Sequence, residues 1–376
     1  MGNPTTTQAF ASNKSTSGTE PGELPFPAIA VVLAAMAIFC LGLHRMVADM
    51  THRAFDEQME ALDALKGDAL DEAGLELVRK ALRGKSNYLA AKAAKLAQEN
   101  ERRELLPELA EAFERFFVNP EKSDPQCWAK NALSASLSKL GCRDRDVFLR
   151  GLNFHQMEPM WGGRSDTAGT LRANCAHALV GCDGLIAQDL VLLLLDLLVD
   201  KDKSVRVEAV RALAQLGDFA VPALRMRALI PDEEAEVSSV CFQALLAIDQ
   251  RGSIAFVSRF LAEEGPAAEE AAFALAETHI EAALDELLRV RKSQTHADPA
   301  LADALLQAIA ITRLRRGVDF LLSLIESEDR DADKAIEALA RFTSSQEVLD
   351  RLQSAVEGAG SPRLSRALAD ALSTRK

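Results

Sequence analysis

The stretch VRVEAVRALAQLGD, residues 205–218, decides the fold. Its apolar side chains follow i, i+4, i+7, i+8 and i+11 spacing, which places them on one face of a helix with 3.6 residues per turn: Val205, Ala209, Ala212, Leu213 and Leu216. Gly217 stands where a left-handed residue commonly ends such a helix. The stretch therefore predicts an amphipathic helix that packs through a single face.

The small-then-large pair Ala212-Leu213 recurs along the chain at intervals of 30 to 34 residues. The copies are Ala178-Leu179, Ala244-Leu245, Ala274-Leu275, Ala308-Ile309, Ala338-Leu339 and Ala371-Leu372. A second apolar helix is predicted before several of these copies, at 189–200, 253–264, 281–290 and 318–327. A short repeat of two antiparallel helices is typical of an α-solenoid. We therefore expect an all-α solenoid of roughly ten helix pairs over residues 54–376.

The spacing Val-Arg-x-x-Ala-x-x-Ala-Leu-x-x-Leu-Gly at 205–217 resembles the HEAT-repeat superfamily. It is most similar to the short bacterial repeats of the type found in phycobilisome lyase subunits. Residues 171–179 repeat the pattern with Leu171, Arg172 and Cys175, whereas residues 237–248 repeat it without the arginine. The resemblance implies a scaffold that binds other macromolecules, and it implies no particular activity.

Composition agrees with a helical repeat protein. Hydrophobic residues make up 48% of the 376 residues, but aromatic residues only 5%. Alanine and leucine, both strong helix formers, supply most of the apolar residues, which argues against an all-β architecture. A single core would be unusual at this length, whereas stacked repeats need none.

The first 45 residues predict a membrane anchor. Residues 1–25 are rich in Thr, Ser, Gly, Asn and Pro and are expected to be disordered. Residues 26–43 contain no charge, which predicts a transmembrane helix at 26–45. Arg45 and Arg53 follow this segment, so the positive-inside rule predicts a single-pass inner-membrane protein with a cytoplasmic C-terminal domain. The alternative is a cytoplasmic protein whose translation starts at Met46 or Met50.

The charge of the chain disfavours nucleic acid as a partner. The net charge is −13, and binding to phosphates needs a basic face. Only residues 126–182 have a positive balance, with seven Lys and Arg against four Asp and Glu.

Two insertions that lengthen the repeat lie in or beside this basic segment. They are VNPEKSDPQCW at 118–128 and NFHQMEPMWGGRSDT at 153–167, and they carry both tryptophans of the chain. Because insertions in a solenoid fall on one face, we expect these two to be neighbours and to form a partner-binding surface. The candidate residues are Trp128, Lys130, His155, Gln156, Glu158, Trp161, Arg164, Asp166 and Arg172. In the alternative interpretation, the two tryptophan rings fill a gap under the lengthened loops.

Nothing in the sequence predicts a catalytic, cofactor or metal site. The six cysteines form no CxxC pair, and His155 and Glu158 lack the second histidine of a metalloprotease helix. The leading hypothesis is a non-catalytic, membrane-tethered scaffold that binds a protein or peptide through its concave helical face and the two insertions. The alternatives are a subunit of a bilin-lyase-like or other HEAT-like enzyme, and a purely structural spacer.

Overall fold

The computed structural model describes residues 53–65, 70–263, 265–293 and 298–373. It is 76% helical with few strands, so the prediction of an all-α fold is confirmed. The chain divides into two units, Met1–Ala64 and Leu65–Lys376. In the first unit the described residues form one helix, α1, at residues 53–63.

The second unit contains helices α2 to α20 and one β-hairpin. In chain order the elements are α2 (Glu72–Arg83), α3 (Asn87–Glu99), α4 (Leu106–Arg115), α5 (Pro120–Ser123), α6 (Trp128–Lys139), α7 (Arg145–Leu152), β1 (Met157–Met160), β2 (Gly163–Asp166), α8 (Gly169–Leu179), α9 (Ala187–Leu194), α10 (Lys203–Ala214), α11 (Val221–Ala228), α12 (Ala235–Ile248), α13 (Gln250–Val257), α14 (Pro266–Glu277), α15 (Glu281–Ser293), α16 (Pro299–Ile311), α17 (Arg315–Glu326), α18 (Ala332–Phe342), α19 (Gln346–Ala359) and α20 (Pro362–Ser373). Short 3-10 turns lie at Arg103–Leu105, Pro125–Cys127, Asp196–Val199, Gly217–Ala220 and Ser258–Ala262.

The helices of the second unit are organised as successive pairs. The first helices of the pairs, called here the A row, are α2, α4, α7, α9, α11, α13, α15, α17 and α19. The second helices, the B row, are α3, α6, α8, α10, α12, α14, α16, α18 and α20. Each B-row helix packs against the A-row helix of its own pair and against the next B-row helix along the chain. The second unit is therefore helical and repeat-like.

The repeating Ala-Leu pair marks the B row. All seven copies lie in consecutive B-row helices, from α8 to α20. In α10, the side chains of Ala209, Ala212 and Leu213 are fully buried, and the small alanines allow neighbouring helices to approach closely. The Asp202 carboxylate caps this helix by accepting a hydrogen bond from the Ser204 backbone N–H at 2.9 Å. Gly217 adopts the predicted left-handed conformation, with φ of +62°.

Buried arginine–aspartate pairs connect successive pairs of helices at one edge of the unit. This edge, the A-to-B edge, consists of the turns that lead from an A-row helix to the B-row helix of the same pair. Arg172 in α8 binds Asp200 in the next such turn through two hydrogen bonds of 2.8 and 3.0 Å. Arg206, at the equivalent position of α10, binds Asp232 through two bonds of 2.8 and 2.9 Å. Such two-point contacts fix the geometry of the turns as well as neutralising charge.

The predicted single-pass membrane location requires a correction. Across the ranges given above, no helix is long and apolar enough to cross a membrane. The expectation of a single-pass inner-membrane protein therefore has no support in the structure. The predicted disordered tail at 1–25 and apolar helix at 26–45 lie outside the described residues.

Candidate functional site on the A-to-B edge

Both predicted insertions lie at the A-to-B edge of consecutive helix pairs. The first, residues 118–128, connects α4 to α6, and the second, residues 153–167, connects α7 to α8. The Gln126 backbone N–H donates to Glu158 Oε1 at 2.7 Å, and Gln156 Nε2 donates to the Asp124 carbonyl at 2.9 Å. The prediction that the two insertions are neighbours is therefore confirmed. Together with Tyr88, they are called here the insertion site.

The second insertion is a β-hairpin, whereas the sequence predicted a loop. Strands β1 and β2 are antiparallel, with Met157 opposite Asp166 and Met160 opposite Gly163. The turn is formed by Trp161 and Gly162, and Gly162 has φ of +93°. Residues other than glycine rarely adopt this backbone conformation. Glycine at the second position of the turn therefore allows the chain to reverse direction between the two strands.

Asp124 holds the first insertion in place from inside. Its carboxylate accepts hydrogen bonds from the backbone N–H groups of Ala129 and Lys130 at 2.8 and 3.0 Å, which caps the start of α6. Lys130 Nζ donates to the same carboxylate at 2.9 Å, and both side chains are fully buried. Asn87 Nδ2 also donates to it, at 3.1 Å. The backbone beside this carboxylate is strained, because Gln126 and Cys127 both have positive φ.

Asp166 anchors the end of the hairpin. Its carboxylate accepts hydrogen bonds from His155 Nδ1 at 2.7 Å and from Arg172 at 2.8 Å, and from the backbone N–H groups of Gln156 and Ala168, both at 3.0 Å. Burial opposes ionisation of this carboxyl. The hydrogen bonds and the charge of Arg172 outweigh burial and lower the pKa of Asp166 to about 2.

The hairpin presents its apolar side chains to solvent. Trp161 at the turn is fully exposed, and Met157 and Met160 are also exposed. Next to the hairpin, Trp128 is 50% exposed and packs against Tyr88 with ring centroids 5.8 Å apart. Neither tryptophan is buried, so the alternative in which both rings fill an internal gap is wrong. The insertion site instead exposes large apolar groups on a stiff support.

The nine predicted site residues separate into two groups. Lys130, Gln156, Glu158 and Arg172 are buried and hold the insertions together. Trp128, His155, Trp161 and Arg164 are exposed, and Asp166 lies between the two groups. Arg164 forms an exposed ion pair with Glu121 of the first insertion at 3.0 Å.

Sequence reasoning missed several residues of the site. Asp124 is the most important, because its buried carboxylate binds four donors from two helices, α3 and α6. Tyr88, Met157 and Met160 were also missed. The Trp-Gly-Gly stretch was the available signal for a hairpin, because a glycine-containing two-residue turn commonly joins two strands.

The titratable and the exposed side chains of the insertion site determine what it can do chemically. Burial raises the pKa of the Cys127 thiol to about 11, so this thiol is not an activated nucleophile at neutral pH. Among the described residues, no group of three His, Cys, Asp or Glu side chains could hold a metal ion. The exposed Trp161 and Arg164 are residue types that dominate binding energy at protein interfaces.

Comparison with known proteins identifies no family. No family model and no curated protein matches the chain. Among solved structures, the chain is similar to one described as "Computational Design of Self-Assembling Cyclic Protein Homooligomers", at 16% identity over 89% of this chain and 100% of that chain. The TM-score of this match is 0.13, so it carries no argument about fold or function.

Proposed function

We propose that this protein is a non-catalytic scaffold that binds a protein or peptide partner through the insertion site. The observation that carries the proposal is the position of Trp161, a fully exposed indole at the tip of a hairpin. A folded protein gains nothing in stability from an indole held in water, whereas an interface gains much from burying one.

The support beneath the hairpin favours the same conclusion. The buried pairs Asp124–Lys130 and Asp166–Arg172 hold the two insertions in one arrangement. A binding surface that is already ordered loses less conformational entropy on association.

We further propose that the second unit is an α-solenoid of HEAT-like repeats. The row of B helices that pack in chain order, with the small-then-large pair in each helix from α8 to α20, supports this class. Insertions at the A-to-B edge would then project beside the concave face of the solenoid, where such proteins commonly bind their partners.

The test is comparative affinity capture from native cells, with the purified full chain as bait. The wild type is compared with the double variant Trp161→Ala/Arg164→Ala and with the control Leu372→Ala/Arg366→Ala, which removes one exposed large apolar side chain and one exposed arginine from α20. We expect a specific partner whose recovery falls at least tenfold with the first variant and is unchanged with the control. If the first variant keeps its thermal stability and still recovers every protein that the wild type recovers, the proposed site is wrong.

A further inference from the structure

The A-row helices α9 and α11 carry large apolar side chains on their solvent face. On α9 and the 3-10 turn that follows, Leu192, Leu195 and Val199 are exposed, at i, i+3 and i+7 spacing. Leu192 is 68% exposed, which is far more than a side chain of a core would be. The spacing places the three side chains in one stripe along the helix.

A second stripe lies on the next A-row helix. Met226 in α11 is 62% exposed, and Phe219 just before the helix and Leu229 and Ile230 just after it are exposed as well. Phe219 belongs to the 3-10 turn Gly217–Ala220, which packs against α9. The turn that carries Phe219 therefore lies next to α9, and the two stripes belong to consecutive helix pairs. They are called here the A-row stripes.

The other A-row helices of the C-terminal half have a polar solvent face. Within the described parts of α13, α15, α17 and α19, no large apolar side chain is exposed. Their solvent faces carry charged groups instead, such as Arg289 with Glu286 on α15 and Arg351 on α19 with Asp319 on α17. The solvent-exposed faces of these four helices are therefore charged, whereas those of α9 and α11 are apolar. Contiguous exposed apolar surface of this kind marks an interaction site.

The charges around the A-row stripes indicate what covers them. Asp189 and Asp196 on the α9 segment and Asp218 beside Phe219 are exposed, and the described residues give none of them an ion pair. On α11, Arg227 is neutralised by Asp232, whereas Arg225, which lies over the Phe256 ring at 5.2 Å, keeps its positive charge. Lys201 is the exposed basic residue at the end of the first stripe. The apolar surface thus has a mainly acidic border.

The acidic border discriminates between possible occupants. A second copy of this chain, docked through the same surface, would bring aspartates of both copies together. A membrane with anionic headgroups would meet the same repulsion. A helix with an apolar stripe and flanking Lys or Arg residues is complementary to both the apolar stripes and the acidic border, and amphipathic helices commonly bind through their apolar face.

We propose that α9 and α11, with their 3-10 turns, form a docking surface for a cationic amphipathic helix of a partner protein. This surface is separate from the insertion site and does not depend on it. The two together would let one scaffold hold two partner segments of different chemistry.

The test uses the full chain and a labelled 18-residue model peptide of Leu and Lys, with Leu at i, i+3, i+4 and i+7 positions. Fluorescence anisotropy measures binding of this peptide, of a scrambled peptide of the same composition, and of a peptide with Glu in place of Lys. We expect the striped Leu/Lys peptide to bind at least tenfold more tightly than either control peptide. Equal binding of the scrambled peptide would overturn the proposal, because it would show attraction by charge alone.

Two variants locate the binding on the surface. Leu192→Gln/Met226→Gln removes apolar groups that are already exposed, so we expect unchanged folding and at least tenfold weaker binding. Asp189→Asn/Asp196→Asn/Asp218→Asn should also weaken binding, whereas Glu111→Gln/Glu337→Gln/Glu347→Gln, with the same change in net charge, should leave it unchanged. Equal effects of the two charge variants would overturn the proposal. The Trp161→Ala variant should bind the peptide as the wild type does, which separates this surface from the insertion site.

Two other occupants are distinguished directly. Dimers in sedimentation that disappear with Leu192→Gln/Met226→Gln would show that a second copy covers the surface. Co-sedimentation with phosphatidylserine vesicles that depends on the same two residues would show a lipid surface. Either result would contradict the proposal.

Discussion

The guanidinium of Arg172 connects the hairpin to the next helix pair. It donates a hydrogen bond at 2.8 Å to Asp166 at the end of β2, and its Nε donates at 2.8 Å to Asp200 in the turn before α10. Its side chain is almost completely buried, and so is that of Asp200. One arginine therefore fixes the insertion site relative to the repeat that follows it.

Replacing Arg172 with methionine should strongly destabilise the protein. Two carboxylates would be left close together and poorly solvated, and breaking a buried pair in this way costs about 3–5 kcal/mol. Urea unfolding of the variant measures the loss. Arg143→Met is the matched control, because Arg143 pairs with Asp183 on the surface and such pairs contribute at most about 1 kcal/mol. Equal losses for the two variants would contradict the role assigned to Arg172.

The lowered pKa of Asp166 should make the free energy of unfolding decrease in acid. Its pKa is about 2 in the folded protein and about 3.9 in an unfolded chain, so its contribution is complete above pH 4 and is lost as the pH falls from 4 towards 2. After allowance for solvent screening, the contribution is on the order of 1–2 kcal/mol. Asp166→Asn should lower the free energy of unfolding at pH 7 and flatten its pH dependence between 4 and 2. An unchanged slope in that window would disprove this assignment.

Substitution of glycine by alanine should have opposite effects on stability at Gly162 and at Gly358. Gly162→Ala places a side chain at a positive φ and should weaken the hairpin by about 1 kcal/mol. Gly358→Ala lies within α19 with no atom near the new methyl group and should stabilise the protein by about 0.5–1 kcal/mol. Hydrogen exchange of residues 157–166 measures the first effect, and thermal unfolding the second. Faster hydrogen exchange in the hairpin of the Gly358→Ala variant would contradict the role assigned to the positive φ of Gly162.

Gly151 tests the packing between α7 and α8. A methyl group on Gly151 would lie 2.6 Å from Cys175 Sγ, so Gly151→Ala should cost about 1–3 kcal/mol through overpacking. Cys175→Ala should relieve part of this cost in the double variant, because it removes the colliding sulfur. Additive losses in urea unfolding would show that the contact between these two residues is not the cause.

The helical rows could be predicted from sequence because their signal is local. The B-row helices from α8 to α20 repeat the spacing seen at Ala212 and Leu213, and the spacing depends only on helix geometry. The positions of the two insertions could be predicted because the interval between successive repeats is longer there. Their contact followed from the order of the repeats.

The internal organisation of the site could not be predicted in the same way. Lys130 and Arg172 looked like surface contacts, because charged residues are seldom fully buried. Their burial depends on Asp124 and Asp200, and Arg172 and Asp200 are 28 residues apart in the chain. Pairing over such distances is set by the tertiary structure. The hairpin was missed for a related reason, since Met157–Met160 and Gly163–Asp166 lack the β-branched residues typical of strands.

The exposed stripe on α9 was also unexpected. Residues 189–200 are rich in leucine, and their sequence predicts an apolar helix. In the structure only part of this apolar surface is covered: Leu190 and Leu194 are buried, and Leu192 is exposed. The sequence pattern shows an excess of apolar residues but does not show which of them lack a partner.

Photo-crosslinking from position 161 tests the central claim most directly. The full chain with p-benzoylphenylalanine in place of Trp161 is irradiated in native cells, and the same substitution at the exposed Leu372 on α20 serves as the control. Because Trp161 stands at the tip of the hairpin, we expect position 161 to yield a discrete covalent product with one partner protein that position 372 does not yield. Identical products from the two positions would contradict the proposal that the insertion site binds a partner.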